Sequence, residues 1–508
     1  MGGAFPAGKA GVVPRPAPVA RKNIPAPLRR KKPSRWVSAP PSPPLDKGPN
    51  SYYNPNTTLE LIRRCPVDNA LAREFRTGSL LRFALPNMIM MVFMSLYTIV
   101  DGMFISRFVG TLALSAINMS YPLTSLELAL GIMLATGGSA VIARELGEGK
   151  QDTARQDFTC IVSAALVLGV IFMVVCLVFL DPILTALGTS GPQFPYCRIY
   201  TRILMLFAPA AFFQALFQVL FVTAGRPDLG LGTTVAGGLA NIVLDWLFMG
   251  PMGMGVEGAA IATGISYCVP AVAGVIFFFG NRRGTLCFVP FRPRWRMLLQ
   301  TCGNGASEMV TNIAIAVTTL LFNLIFLEFW QEDGVAAITI VMYLQFVFSA
   351  IYIGFSMGVA PVISYKYGAQ DHPQLRRIVR DCLGFIAVCS AVVYGLSLVL
   401  IRPALILFTD ADSPVYAITL EGFPLFAISF LLMGIGIFTS SLFTAFSNGL
   451  VSAVVSFART FVFLVGMLLL LPRVWGEAGI WLATPVAEGL GVAVCAAFLV
   501  WGRRKYHY

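Results

Sequence analysis

The chain has 508 residues, is 56% hydrophobic, only 12% charged, and carries a formal net charge of +12, with a mean hydropathy of +0.74. A soluble protein of this length would have about a quarter of its residues charged, so most of this surface does not face water. The basic excess does not indicate a nucleic-acid partner, because much of it lies in residues 1–50 and the rest in short loops between apolar segments.

Residues 1–50 are Pro-rich and basic, with no acidic residue before Asp46. They bury too little apolar surface to offset ordering entropy and are expected to be disordered. No apolar h-region follows the early charges, which excludes a secretory signal peptide. With the lead-in that follows, this tail is expected to span residues 1–77.

From about residue 80, twelve apolar segments follow, each near the 20 residues that a spanning helix needs. They cover 80–106, 112–140, 158–180, 198–224, 232–250, 256–279, 300–327, 335–362, 380–401, 414–444, 450–471 and 478–501. The predicted fold is an all-α integral membrane protein, with a six-helix lobe over 78–280, a loop over 281–299 and a second six-helix lobe over 300–508. Basic residues concentrate in the even-numbered turns: Arg144, Lys150 and Arg155; Arg226; Arg282, Arg283, Arg292, Arg294 and Arg296; Lys366, Arg376, Arg377 and Arg380. Arg503, Arg504 and Lys505 end the chain. The positive-inside rule then puts both termini in the cytoplasm.

The chain repeats itself. Residues 116–155 align without gaps to 337–376, an offset of 221 (376 − 155) that pairs Gly137 with Gly358, Gly147 with Gly368 and Arg155 with Arg376. The same offset later pairs Pro251 with Pro472, Gly255 with Gly476 and Thr263 with Thr484. Six helices per repeat keep both copies in the same orientation, which predicts two pseudo-symmetric lobes about an axis along the membrane normal, with substrate sites between or within them.

Polar residues inside these segments are the functional candidates. An acid near a helix centre costs about 2.5–3.5 kcal/mol on insertion scales and is kept where something offsets that cost. Asp101 in the first segment, Asp245 in the fifth and Glu308 in the seventh are such acids. Asn241 and Asp245 stand four apart in "NIVLDWLFM", hence on one helical face. At the repeat offset Asp101 meets Phe322, Asn241 meets Val462 and Asp245 meets Gly466, while Glu308 meets Asn87. A purely structural role would persist in both halves, so the asymmetry points to function for the aspartates. Glu308 has a plainer reading, lining a vestibule or pairing with an arginine of the preceding loop, and Arg459 and Glu488 read as structural. Two histidines and ten scattered cysteines without a CxxC pair leave little for metal chemistry, and no resident cofactor is expected.

The stretches "ALPNMIMMVFMSLYTIVDGMFISRFVG", "AGRPDLG", "NIVLDWLFM", "GMGVEGAAIAT" and "GEAGIWLATP", in this order on a 6 + 6 repeat, resemble the multidrug and toxic compound extrusion family over residues 78–500. The resemblance implies a V-shaped pair of lobes that alternate access and export amphipathic, often cationic drugs in exchange for inward H⁺ or Na⁺. Residue by residue, it implies that Asp101, Asn241, Asp245 and Thr263 form the cation-coupling site. Of these, Asp101, Asn241 and Asp245 would be the ligands if the ion is Na⁺. It further implies that Pro86 is a first-helix bending point, that Tyr200 borders the same cavity, and that Glu308 matches a seventh-helix glutamate of some branches. Trp246 departs from the proline that many relatives carry after the aspartate. The expected partners are small amphipathic molecules and the bilayer of the plasma membrane, and the expected state is a monomer. The competing readings are a lipid-linked oligosaccharide or lipid flippase of the same superfold, which needs more cationic residues than Arg459 inside the bundle, and a membrane-embedded enzyme, which the positions of His372 and His507 in a loop and the tail do not support.

Overall fold

The computed structural model describes residues 69–189, 191–281 and 284–508. The basic tail, residues 1–50, lies outside the described residues. The described part is helical throughout, without a β-strand.

Twelve spans follow in order. α1 is Thr77–Phe108, α2 Thr111–Gly147 and α3 Gln151–Val178. α4 is a bent pair, Phe194–Leu206 and Ala208–Thr223, turning by 57°. α5 is Pro227–Met249 and α6 Gly255–Gly280. The continuous Trp295–Gly368 helix breaks at Gln331, where the backbone is non-helical, into α7 (295–330) and α8 (332–368). α9 is His372–Phe408, and α10 a second bent pair, Pro414–Ala427 and Ser429–Ala445, turning by 49°. The final stretch from Gly449 breaks at Gly476 into α11 (449–475) and α12 (477–506), and α11 contains a π-helical turn, Ala458–Phe463.

The repeat is written into the backbone as well as the sequence. Gly110 and Gln331, Gly149 and Gln370, and Gly255 and Gly476 all have positive φ, and each pair is 221 residues apart (331 − 110, 370 − 149, 476 − 255). The bends of α4 and α10 fall at Phe207 and Ile428, again 221 apart. Pro209, two residues past the first bend, has no N–H to continue the ladder of the preceding turn, which accounts for the break there.

The halves meet along a seam that obeys the same symmetry. A Cβ on Gly358 of α8 would lie 3.1 Å from the Cα of Ala84 in α1, and the repeat equivalents, Gly137 of α2 and Gly305 of α7, approach closely enough for backbone to touch backbone. Gly147 packs on the Tyr365 carbonyl and Gly368 on that of Arg144, again equivalent pairs. In lipid there is no hydrophobic drive between apolar helices, so close backbone approach through small residues supplies the packing. Asn87 Nδ2 donates to the Gly354 carbonyl at 2.7 Å across the seam.

Equivalent arginines tie down the chain as it leaves each repeat. Arg155 donates to the carbonyls of Gly284 and Thr285 after α6, and Arg376 to that of His507 after α12. Residues 69–76 are not loose: Leu71 and Phe75 are buried against α8, α9 and α10.

Candidate functional site

The site lies inside the first six helices. α1 and α5 end at the same membrane face, and the side chains of Asp101 and Asp245 face each other there. Asp245 is 0% exposed and Asn241, one turn earlier on the same face of α5, is 1% exposed. Neither Asp245 carboxyl oxygen nor either polar atom of Asn241 has a hydrogen-bond partner, and Asp101 Oδ1 and Thr263 Oγ1 are likewise buried and unpaired. Buried polar groups are nearly always satisfied, so a cluster of orphans demands a cause. Together these atoms form an oxygen-rich nest, and among the described residues no Lys or Arg pairs with either aspartate.

The fifth helix reads through this point without a break. Trp246, where many relatives are expected to have proline, is 53% exposed on the outer face of the bundle, and the Gly250 N–H closes onto the Trp246 carbonyl at 3.0 Å. The helix therefore turns its amide and carboxylate inward and its indole outward.

Aromatic hydroxyls frame the nest. Tyr200 of α4 is 6% exposed, and its hydroxyl faces Thr263 and lies in the field of both aspartates. Tyr97 lies one turn before Asp101 on α1 and faces Gln214 of α4. Tyr267 of α6 sits in the field of Tyr97, Tyr200 and Asp101. Sequence reasoning missed Tyr97, Gln214, Tyr267 and one more acid, Glu127 of α2, which is 4% exposed. The signal for Glu127 was present: it is an acid in the middle of an apolar segment, with Phe348 at the repeat offset.

The remaining predicted residues lie elsewhere. Pro86 is inside α1, fifteen residues before Asp101, next to the seam contact made by Asn87. Glu308 is in α7, away from the aspartates. It lines a cavity of about 20 Å³ between the halves, with Thr136, Ser139 and Ser441, and is in the field of Arg459 rather than of a loop arginine. Arg459 itself, in the π-helical turn of α11, is paired with Glu488 of α12 at 3.1 Å. Gly436 and Gly491 make room for its side chain. Arg459 is thus a neutralised buried charge, as is Asp157 of α3, which Arg294 pairs at 2.7 Å, whereas Asp101 and Asp245 have no such partner among the described residues. Among the described residues no group of three His, Cys, Asp or Glu is arranged to hold a metal ion as a resident centre.

The MatE family matches residues 86–247 and 308–469, two windows that correspond to the two halves and together cover more than half of the chain. By sequence the chain is similar to the multidrug export protein MepA of Staphylococcus haemolyticus (strain JCSC1435), 28% identical over 434 residues that cover 84% of this chain and 94% of the relative. It is also similar to MepA of Staphylococcus aureus (strain NCTC 8325 / PS 47), 23% identical and covering 83% and 93%. By structure it is similar to an outward-facing conformation of a multidrug resistance MATE family transporter of the MOP superfamily, with a TM-score of 0.80 at 22% identity, covering 87% of this chain and 99% of that one. It is similar too to MATE in the straight conformation, with a TM-score of 0.81 at 21% identity and the same coverage. Two six-helix halves on one repeat, matched by family over both, make this chain a member of the MatE family, a multi-pass membrane transporter and not an enzyme.

Proposed function

We propose that the protein exports amphipathic, often cationic small molecules across the plasma membrane in exchange for an inward cation, H⁺ or Na⁺. The observation that carries this reading is the group of unpaired buried oxygens on Asp101, Asn241, Asp245 and Thr263. Two carboxyl groups in a low-dielectric site do not both ionise cheaply and titrate as a unit. A proton relieves them, and so does Na⁺, for which two carboxylates, an amide oxygen and a hydroxyl are a suitable hard-oxygen set. With both termini on the cytoplasmic side, the nest lies in the outer half of the membrane. Each entering charge then contributes about 2.3 kcal/mol per 100 mV of membrane potential.

Exchange requires that the ion and the drug favour different conformations, because a ligand with equal affinity for both shifts nothing. Pro86 supplies a bending point: it lacks a backbone donor and its ring crowds the preceding turn of α1. Cation binding at Asp101 on the same helix bends α1 about Pro86, narrows the cavity of the first lobe and expels the drug. Glu308 and Tyr200 border the path that the drug takes. The multidrug export named for the relatives in Staphylococcus supports the substrate class.

The test is transport by the full chain in proteoliposomes with ΔpH and ΔNa⁺ imposed separately. Uphill ethidium movement driven by one gradient, and lost in Asp101→Asn and Asp245→Asn, supports the reading and names the ion. Normal uphill export by both variants overturns it.

A further inference from the structure

A third acid in the same lobe has no place in the ion nest. Glu127 projects from the middle of α2, 4% exposed, and its Oε1 has no hydrogen-bond partner. Among the described residues no arginine or lysine pairs with it. The titratable groups that face it are Cys176 of α3, Tyr200 of α4 and Tyr267 of α6. Through Tyr200 and Tyr267 it shares neighbours with Asp101, and through Tyr200 with Asp245.

The depths of these groups differ. Counting from the membrane face where α1 ends and α2 begins, Asp245 stands four residues from its helix end and Tyr200 and Asp101 six and seven. Tyr267 stands twelve residues in and Glu127 sixteen. At 1.5 Å per residue along the helix axes, the aspartates lie about 6–10 Å from their helix ends, Tyr267 about 18 Å and Glu127 about 24 Å. Glu127 and Tyr267 therefore stand deeper in the lobe than the aspartates and Tyr200.

From this geometry we infer that Glu127 is a second proton-loading site, separate from the Asp101–Asp245 nest, so that the lobe exchanges two protons in each cycle. An unpaired carboxylate at mid-membrane needs a positive partner. Its titratable neighbours, two phenols and a thiol, bring no second carboxylate of the kind that a hard cation such as Na⁺ favours. Neither the cavity at Glu308 nor the one lined by Asn323 and Tyr343 has Glu127 in its lining. A proton needs neither ligands nor room. The inference rests on the cation-exchange reading above in its H⁺ form.

The experiment measures protons released to a lightly buffered solution when ethidium binds the purified full chain in detergent, with sodium absent. Wild type is expected to release two protons per ethidium, Glu127→Gln one, and the double variant Asp101→Asn/Asp245→Asn one. Release from Glu127→Gln equal to that of wild type overturns the inference while leaving the aspartate nest intact. Release from the aspartate double variant equal to that of wild type overturns the earlier reading and leaves Glu127 standing. If Glu127→Gln does not fold, infrared difference spectra of wild type on ethidium binding are compared with those of Glu127→Asp. A carboxyl C=O band that moves between the two supports the inference, and identical spectra overturn it.

Discussion

At the scale of single residues, the Arg459–Glu488 pair and the Asp101–Asp245 site deal with buried charge in opposite ways. In the second half Arg459 is matched by Glu488 at 3.1 Å, and Gly436 and Gly491 leave the space its side chain fills. Removing one member of a buried pair strands the other, at a cost of about 3–5 kcal/mol, whereas replacing both by apolar residues of similar size is often neutral. Glu488→Gln is therefore expected to lower the thermal unfolding temperature in detergent, and Arg459→Met/Glu488→Leu to recover most of it. At the aspartates the logic inverts. Asp245 is buried without a partner, so Asp245→Asn removes a cost rather than a contact. It should leave the unfolding temperature equal to or above that of wild type while abolishing gradient-driven export, and a stability loss would mark the aspartate as structural. Asn241 and Asp245 were legible as a pair because four-residue spacing is a helical signal, but Tyr97, Gln214 and Tyr267 were not, because tyrosine and glutamine in an apolar run carry no spacing signal of their own.

At the scale of elements, the helices end and break where the repeat requires it, and not always with the residue best suited to the backbone. Gln331 and Gln370 hold positive φ where the first half has Gly110 and Gly149. A side chain in such a conformation costs about 1–2 kcal/mol relative to glycine. Gln370→Gly, at the turn between α8 and α9, is expected to stabilise the protein by about 1 kcal/mol, seen as a raised unfolding temperature with unchanged transport. The approach of α2 to α7 is the reverse case. A Cβ on Gly305 would run into the Met133 backbone, which cannot swing aside as a flexible side chain would. Gly305→Ala should destabilise by about 1–3 kcal/mol, the range for overpacking a tight contact. The breaks at Gln331 and Gly476 were not readable as backbone features, although the twelve apolar segments on either side of them were.

At the scale of the whole molecule, the proposed export by alternating access requires the two halves to rock about the seam where Ala84, Asn87, Gly354 and Gly358 meet. Ala84 Cβ lies 3.2 Å from where a Cβ on Gly358 would sit, close to the roughly 3.5–4.5 Å that a disulfide spans. In a background without the native cysteines, Ala84→Cys/Gly358→Cys should cross-link on oxidation and lose transport, and regain it on reduction. Full export by the cross-linked protein would show that the seam does not move.

The sequence by itself determined that the chain spans a membrane, how many times, and that it is built from two copies of one unit, because apolar length and a fixed offset are properties of linear order. It also marked Asp101, Asn241, Asp245 and Glu308, because a polar residue in lipid is conspicuous wherever the chain places it. Only the tertiary structure decided which of these meet: it brought Asp101 and Asp245 face to face, left Glu308 at the seam near Arg459, and gave Glu127 two tyrosine neighbours in common with Asp101. Contact between residues more than a hundred positions apart depends on how helices tilt and pack, and a single helix's pattern records only which face is turned inward, not what it finds there.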